Sequence, residues 1–267
     1  MNETLQVIHQ RRSVRAYEDR PVERETVDTI IRAAMRAPTA GNLMLYSILE
    51  IESPAIKEKL AKSCDNQPFI ARAPLVLIFL ADYQRWIDGF VASGVPAYCE
   101  TRGEEMRLPG EGDLLLACCD ALIAAQTAVI AAESLGLGSC YIGDVMERYE
   151  THRELLVLPR YAFPVTMVCF GYPTAAARER ELTTRFPQEV VHFRDRYRRL
   201  DEEELGTMLE TRRRSRGLGE DANAGLRTYR RKFSADYSVE MTRSVREAIR
   251  TWTAGQEQEG EEDGGMT

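Results

Sequence analysis

The chain has 267 residues, 44% of them hydrophobic, with a formal net charge of -7 and an isoelectric point near 5.3. That is apolar material for one sizeable α/β domain with an appendage or for two small domains, and it excludes a fibrous or wholly disordered chain. The acidic balance argues against nucleic acid as a partner, because a binding face must neutralise phosphates with clustered Lys and Arg.

Taken in chain order, residues 2–10 read as a short helix leading into Arg11-Arg12-Ser13-Val14-Arg15. A second helix is predicted over 22–35: Pro21 stands at its start, where a missing N–H costs nothing, and Val27, Ile30, Ile31 and Ala34 fall on one face. Pro38 ends it, and 37–42 is a loop of turn residues. Residues 46–52 alternate like a strand, 54–63 suggest a helix, and the continuous apolar run 75–80 fits a strand buried on both faces. Residues 82–112 carry Trp86, Phe90, Tyr98 and several Gly and Pro, and read as a mobile lid. The clearest helix spans 113–134. Its small-residue face (Ala117, Ala121, Ala124, Ala128) suits either a tight core or a subunit interface, and Gly136 is a natural C-cap. Strands are predicted at 139–142 and 165–170. The domains expected are a core over 1–200, a charged helical extension over 201–252 and a disordered acidic tail over 253–267.

The longest uninterrupted apolar run, 73–81, is far short of the roughly 20 residues that span a bilayer. The opening MNETLQVIHQRR lacks an apolar stretch before a small-residue cleavage site, so the expected location is the cytoplasm, with no membrane partner. The six cysteines form no CxxC pair and read as small buried hydrophobes, and the three histidines show no zinc spacing. The basic run 212–216 follows the acidic run 201–204 and reads as a solvated charged segment.

Three segments carry possible chemistry. Arg11, Arg12, Ser13 and Arg15 offer planar forks of donors and a hydroxyl that match phosphate oxygens. The loop 37–42 offers backbone groups and the Asn42 amide to the polar edge of a planar heterocycle. In 135–143, Gly136 and Gly138 follow a helix and open a strand, the reverse of a dinucleotide fingerprint, and Gly143 can bring backbone close to a ligand.

In this order, RRSVR at 11–15, APTAGN at 37–42, the buried strand 73–82, LGLGSCYIG at 135–143 and Arg185-Phe186-Pro187 resemble the FMN-dependent nitroreductase family over residues 5–195. The resemblance implies an α+β fold: a mixed, largely antiparallel sheet flanked by helices, in an intertwined homodimer with a helical C-terminal extension. It implies FMN, reduced by NADH or NADPH in a ping-pong cycle, and an electron-poor acceptor such as a nitroaromatic or quinone. Arg11, Ser13 and Arg15, with Arg12 helping, would follow the flavin phosphate, ribityl chain and pyrimidine edge, and Arg185 would return to the same phosphate. Pro38, Thr39, Ala40 and Asn42 of a second subunit would face the ring. Asn66 or Gln67 would bond the ribityl chain or ring edge, and Ile142, Gly143 and Asp144 would pass the ring nitrogen that carries the hydride. No side chain is implied as acid or base. Two departures stand out: Met44, Leu45 and Tyr46 replace the Gln-Pro-Trp of many members, and Thr183 replaces a cation found in some. Reductive dehalogenation, or flavin binding without catalysis, are the alternatives.

Overall fold

The computed structural model of the chain describes residues 1–254, and the expected tail beyond lies outside the described residues. The chain divides into two compact units: residues 1–179 together with the chain from Glu240 onward, and Arg180–Val239. Both boundaries differ from the sequence expectation, which carried the core to 200 and kept 201–252 together in one extension.

The first unit begins with α1 (Glu3–Gln10), whose N-terminus is capped by the Asn2 side chain accepting the Leu5 N–H at 3.0 Å, and α2 (Arg24–Ala34), which buries Val27, Ile30 and Ala34. Strand β1 (Tyr46–Glu50), α3 (Pro54–Ser63), α4 (Phe69–Arg72) and β2 (Leu75–Asp82) follow. The expected lid is two helices, α5 (Gln84–Ala92) and α6 (Val95–Thr101). Next come α7 (Glu111–Ser134), β3 (Gly138–Ile142), a 3-10 turn over Gly143–Met146, α8 (Tyr149–Leu155), β4 (Ala162–Gly171) and α9 (Ala175–Glu179).

The four strands pair antiparallel in the order β1-β2-β4-β3. Every residue of β2 and β4 is buried, as a continuous apolar run requires when both faces of a sheet are covered. Alternate β2 residues go to opposite sides: Leu75, Leu77, Phe79 and Ala81 join the core with α2 and α7, while Val76, Ile78 and Leu80 join the core with α3 and α4. A bulge lies between Phe79 and Leu80, where Pro164 of β4 pairs with Leu80. Proline has no N–H for the ladder, so a central strand accepts it at such an irregularity.

Helix α7 packs Ala117, Ala121, Ala124, Ala128 and Ala132 on the sheet, and small side chains let helix and sheet approach closely. It is the one helix among the described residues long and apolar enough to cross a membrane, which the count of uninterrupted apolar residues missed because Asp120 and Gln126 divide it. Its other face leaves Leu115, Leu116, Leu122 and Ile123 exposed. Of the cysteines, Cys64, Cys140 and Cys169 are buried as expected, whereas Cys119 is exposed on α7.

In the second unit, α10 (Glu202–Ser215) is closed by a capping box between Asp201 and Glu204, with acidic residues in its first turn and arginines in its last. Both complement the helix dipole. The basic end is not simply solvated. Arg212 and Arg216 line a cavity of about 200 Å³ with Arg227 of α11 (Ala224–Thr228) and with Arg231 and Lys232 of the following π-helical turn. The charges of Arg212 and Arg231 push the Arg216 pKa down.

The last helix, α12 (Asp236–Thr253), returns to the first unit. Ser244 Oγ donates to the Met146 carbonyl at 2.7 Å and accepts the Tyr149 N–H at 2.8 Å. The Trp252 ring, fully buried, meets Tyr161 and Tyr83 edge-on at centroid distances of 5.4 and 6.4 Å. Thr253, the first residue of the expected tail, is thus the buried end of this helix.

Candidate active site

The segment 11–17 lies along β3. Val14 N–H donates to the Ser139 carbonyl at 2.8 Å, and Ser13 makes a parallel bridge with Ser139. Tyr17 Oη donates toward the Val14 and Cys169 carbonyls at 2.8 and 3.1 Å, which fixes the far end of the segment. Val14 is buried while Arg15 is exposed, so the alternation of an extended chain turns Arg15 outward.

Three of the cations have distinct surroundings. Arg11 Nη1 donates to Ser139 Oγ at 3.3 Å, and that hydroxyl donates to Glu133 Oε1 at 2.7 Å. Burial pushes the Glu133 pKa up. Arg12 donates from Nη1 to the Arg178 carbonyl at 2.6 Å, so much of its fork ties α9 to the segment. The Arg15 guanidinium stands 5.8 Å from the Phe69 ring centroid. Arg11, Arg12 and Arg178 share a cavity of about 280 Å³ with Glu133 and Gly138.

The end of β3 brings further candidates to the same edge. Arg15, Arg11 and Asp144 all act electrostatically on the buried Cys140 thiol, which burial raises above its ordinary value. Ile142 is buried, while Gly143 is exposed and has open space where a side chain would be. Gln67 Nε2 donates to Asp144 Oδ2 at 2.7 Å and to the Cys64 carbonyl at 3.0 Å. Asn66 is exposed at φ 52, with Asp65 before it at φ 56, so the turn after α3 runs left-handed and presents the Asn66 amide outward.

Pro38, Thr39, Ala40 and Asn42 form a separate group. Their loop is strained, with the non-glycine residues Asn42 and Met44 at φ 58 and 49. Sequence reading missed what holds it: Asp120 of α7, only 2% exposed, accepts the Ala40 N–H on Oδ1 and the Leu45 N–H on Oδ2, each at 3.1 Å. From the other side, Arg85 Nη2 donates to the Met44 and Tyr46 carbonyls at 2.7 Å, and Trp86 Nε1 donates to the Leu43 carbonyl at 2.9 Å. Trp86, a stacking candidate from the sequence, therefore has its polar edge committed to the loop, and Phe90 packs on it at 5.7 Å. Tyr98 is exposed. The replacement of the frequent Gln-Pro-Trp acquires a reason here, since proline in place of Leu45 would have no N–H for Asp120.

Arg185 lies exposed in the second unit, just before the 3-10 turn Gln188–Val190. The groups brought together within the first unit are Arg11, Ser13, Arg15, Gln67, Ile142, Gly143 and Asp144. The donor set fits a mononucleotide: guanidiniums and the Ser13 hydroxyl for a phosphate and polyol, an amide and open backbone for a flat ring edge.

Comparison with known proteins agrees. The model of the nitroreductase family matches residues 8–172. An FMN reductase [NAD(P)H] of Bacillus subtilis is 34% identical over 79% of this chain and 80% of its own length. An oxygen-insensitive NADPH nitroreductase of Salmonella typhimurium is 32% identical over 77% of this chain and 79% of its own. The solved structure of Bacillus megaterium NfrA2 superposes with a TM-score of 0.74 at 30% identity, covering 91% of this chain and 98% of that one. An antiparallel sheet edged by an arginine-rich segment, matched in sequence over most of its length by such relatives, makes this chain a member of the nitroreductase family.

Proposed function

We propose that the chain is an FMN-dependent oxidoreductase that draws reducing equivalents from NADH or NADPH and delivers them to an electron-poor acceptor such as a nitroaromatic or quinone. The observation that carries this is the alignment of Arg11, Ser13 and Arg15 beside β3, next to the Gln67–Asp144 pair and the open backbone at Gly143. The names of the relatives support it: several are FMN reductases or NADPH nitroreductases. FMN, when bound, supplies the hydride chemistry. The chain's own part is to hold the phosphate through Arg11 and Ser13, and to place Arg15 at the pyrimidine edge, where negative charge accumulates on reduction. Arg12 adds to the phosphate grip, and Asn66 bonds the ribityl chain.

A second copy of the chain completes the site. The exposed Leu115, Leu116, Leu122 and Ile123 stripe of α7 supplies an apolar face for it, while the small-residue face is used up in the core. Pro38, Thr39, Ala40 and Asn42 then approach the flavin bound mainly by the other subunit. The free cysteines fit a reducing compartment such as the cytoplasm.

The purified protein is expected to be yellow, to bleach anaerobically with NADH or NADPH, and to recover its colour on addition of a nitrofuran or quinone. A colourless protein that binds no added FMN overturns the reading. Arg15→Ala is expected to lower the flavin midpoint potential by about 30 mV, which for two electrons is about 1.4 kcal/mol. A potential equal to that of the native protein removes Arg15 from the pyrimidine edge.

A further inference from the structure

Glu147 closes the turn that follows β3. Its backbone N–H donates to the Asp144 carbonyl at 3.0 Å, and its side chain is driven inward, leaving the residue 4% exposed. Its Oε1 is buried with no hydrogen-bond partner. The neighbouring histidine cannot supply one: His152 turns Nδ1 to the Val145 carbonyl at 2.8 Å and Nε2 to Ser63 Oγ at 2.7 Å. Burial also pushes the pKa of that ring down. Besides burial, the charges acting on Glu147 are mostly of its own sign: Asp144 from the same turn and Asp65 from the end of α3, opposed by Arg148. The Cys64 thiol facing the same groups is pushed up to about 12 and stays uncharged.

A buried carboxylate with an unpaired oxygen beside two other carboxylates is costly, and taking a proton removes the charge and its repulsion. Burial and the two aspartates raise Glu147 to about 7. Asp144, the nearer aspartate in sequence, is the residue that the Gln67 amide grips at 2.7 Å.

We propose that Glu147 is a positioning residue of the flavin-facing turn: protonated, it lets Asp144 stay on Gln67, and on ionisation it repels Asp144 and loosens that grip. The inference rests on the FMN reading above. It makes flavin affinity pH-dependent near neutrality through a residue that touches no flavin. The sign is fixed by the direction of the shift. The neutral form is favoured by folding, so its stabilisation is present in acid, is lost as pH rises from the ordinary carboxylate range toward about 7, and is absent above.

The test compares native protein with Glu147→Gln, which mimics the protonated carboxyl. FMN dissociation constants are read by quenching of flavin fluorescence, and the unfolding temperature of the apoprotein is read over the same pH range. The native dissociation constant is expected to rise by roughly tenfold from about pH 6 to about pH 8, and that of Glu147→Gln to stay flat. The apoprotein variant should gain on the native protein in unfolding temperature as pH rises to about 7. Asp65→Asn, at an exposed left-handed position that asparagine tolerates, should move the native transition to lower pH. Quenching with the same pH slope in native protein and Glu147→Gln overturns the proposal, as does an Asp65→Asn curve superimposed on the native one should Glu147→Gln not fold. No quenching by any protein at any pH removes the flavin reading and this proposal with it.

Discussion

Asp120→Ala is expected to lower the unfolding free energy by about 3–5 kcal/mol and to strip bound flavin from what remains folded. Each Asp120 oxygen takes one backbone N–H, those of Ala40 and Leu45. Hydrogen bonds to a charged group contribute about 1.5–3 kcal/mol each. Truncation leaves both donors without their acceptor in a region where Asp120 is 2% exposed and Leu45 wholly buried. The loop between them holds Asn42 and Met44 at positive φ, which costs of order 1–3 kcal/mol for a non-glycine residue, so it relaxes once the anchor is gone. The bonds outweigh the strain only while both are made. Asp120→Asn keeps one acceptor and turns an NH₂ toward the second donor, so it should lie between alanine and native. Leu45→Pro should mimic half the damage from the other end. Urea unfolding measures all three. An Asp120→Ala midpoint indistinguishable from native would mean that the loop is held from the Arg85 side alone.

What the sequence displayed was periodicity and local chemistry. The run over β2 announced a strand covered on both faces, and the alternation of its residues between two cores follows. The helix over 113–134 was legible for the same reason, and Arg11-Ser13-Arg15 by its residue types. What was hidden depends on partners distant in the chain. Asp120 sits 80 and 75 residues from its two donors, and its signal was only a lone charge in an apolar helix. Residues 82–112 resembled a lid because Gly89, Gly94 and Pro96 weaken helix propensity, yet α5 forms where Arg85 and Trp86 pin the 43–46 backbone. The strand expected over 165–170 begins earlier, at Ala162, because a bulge admits Pro164. The return of α12 was concealed by its charge. The bonds of Ser244 to the turn before α8 and the burial of Trp252 appear in composition only as one polar and one aromatic residue.

Gly138→Ala is expected to destabilise the protein by about 1–3 kcal/mol and to weaken flavin binding more than its cost in stability suggests. A Cβ on Gly138 would stand 2.5 Å from Val14 Cγ2 and 2.8 Å from Val14 Cβ. The Cγ2 methyl could be accommodated by a rotation, but Cβ is fixed to the backbone, so the segment carrying Arg11, Ser13 and Arg15 must lift from β3. That strains the 2.8 Å bond from Val14 N–H to the Ser139 carbonyl and moves all three proposed cofactor ligands together. Replacing glycine by alanine elsewhere contributes about 0.4–1 kcal/mol through the unfolded chain, too little to offset such a clash. Here the glycine serves close approach, since its φ is not in the left-handed range, in contrast to Gly136 at φ 82 two residues earlier. A second change, Val14→Ala, removes the 2.5 Å contact and leaves the 2.8 Å one, so the double variant should recover part of the flavin affinity lost by Gly138→Ala. Thermal unfolding and flavin titration of the two single variants and the double give the coupling energy. Strictly additive effects would show that Gly138 does not position the arginine segment.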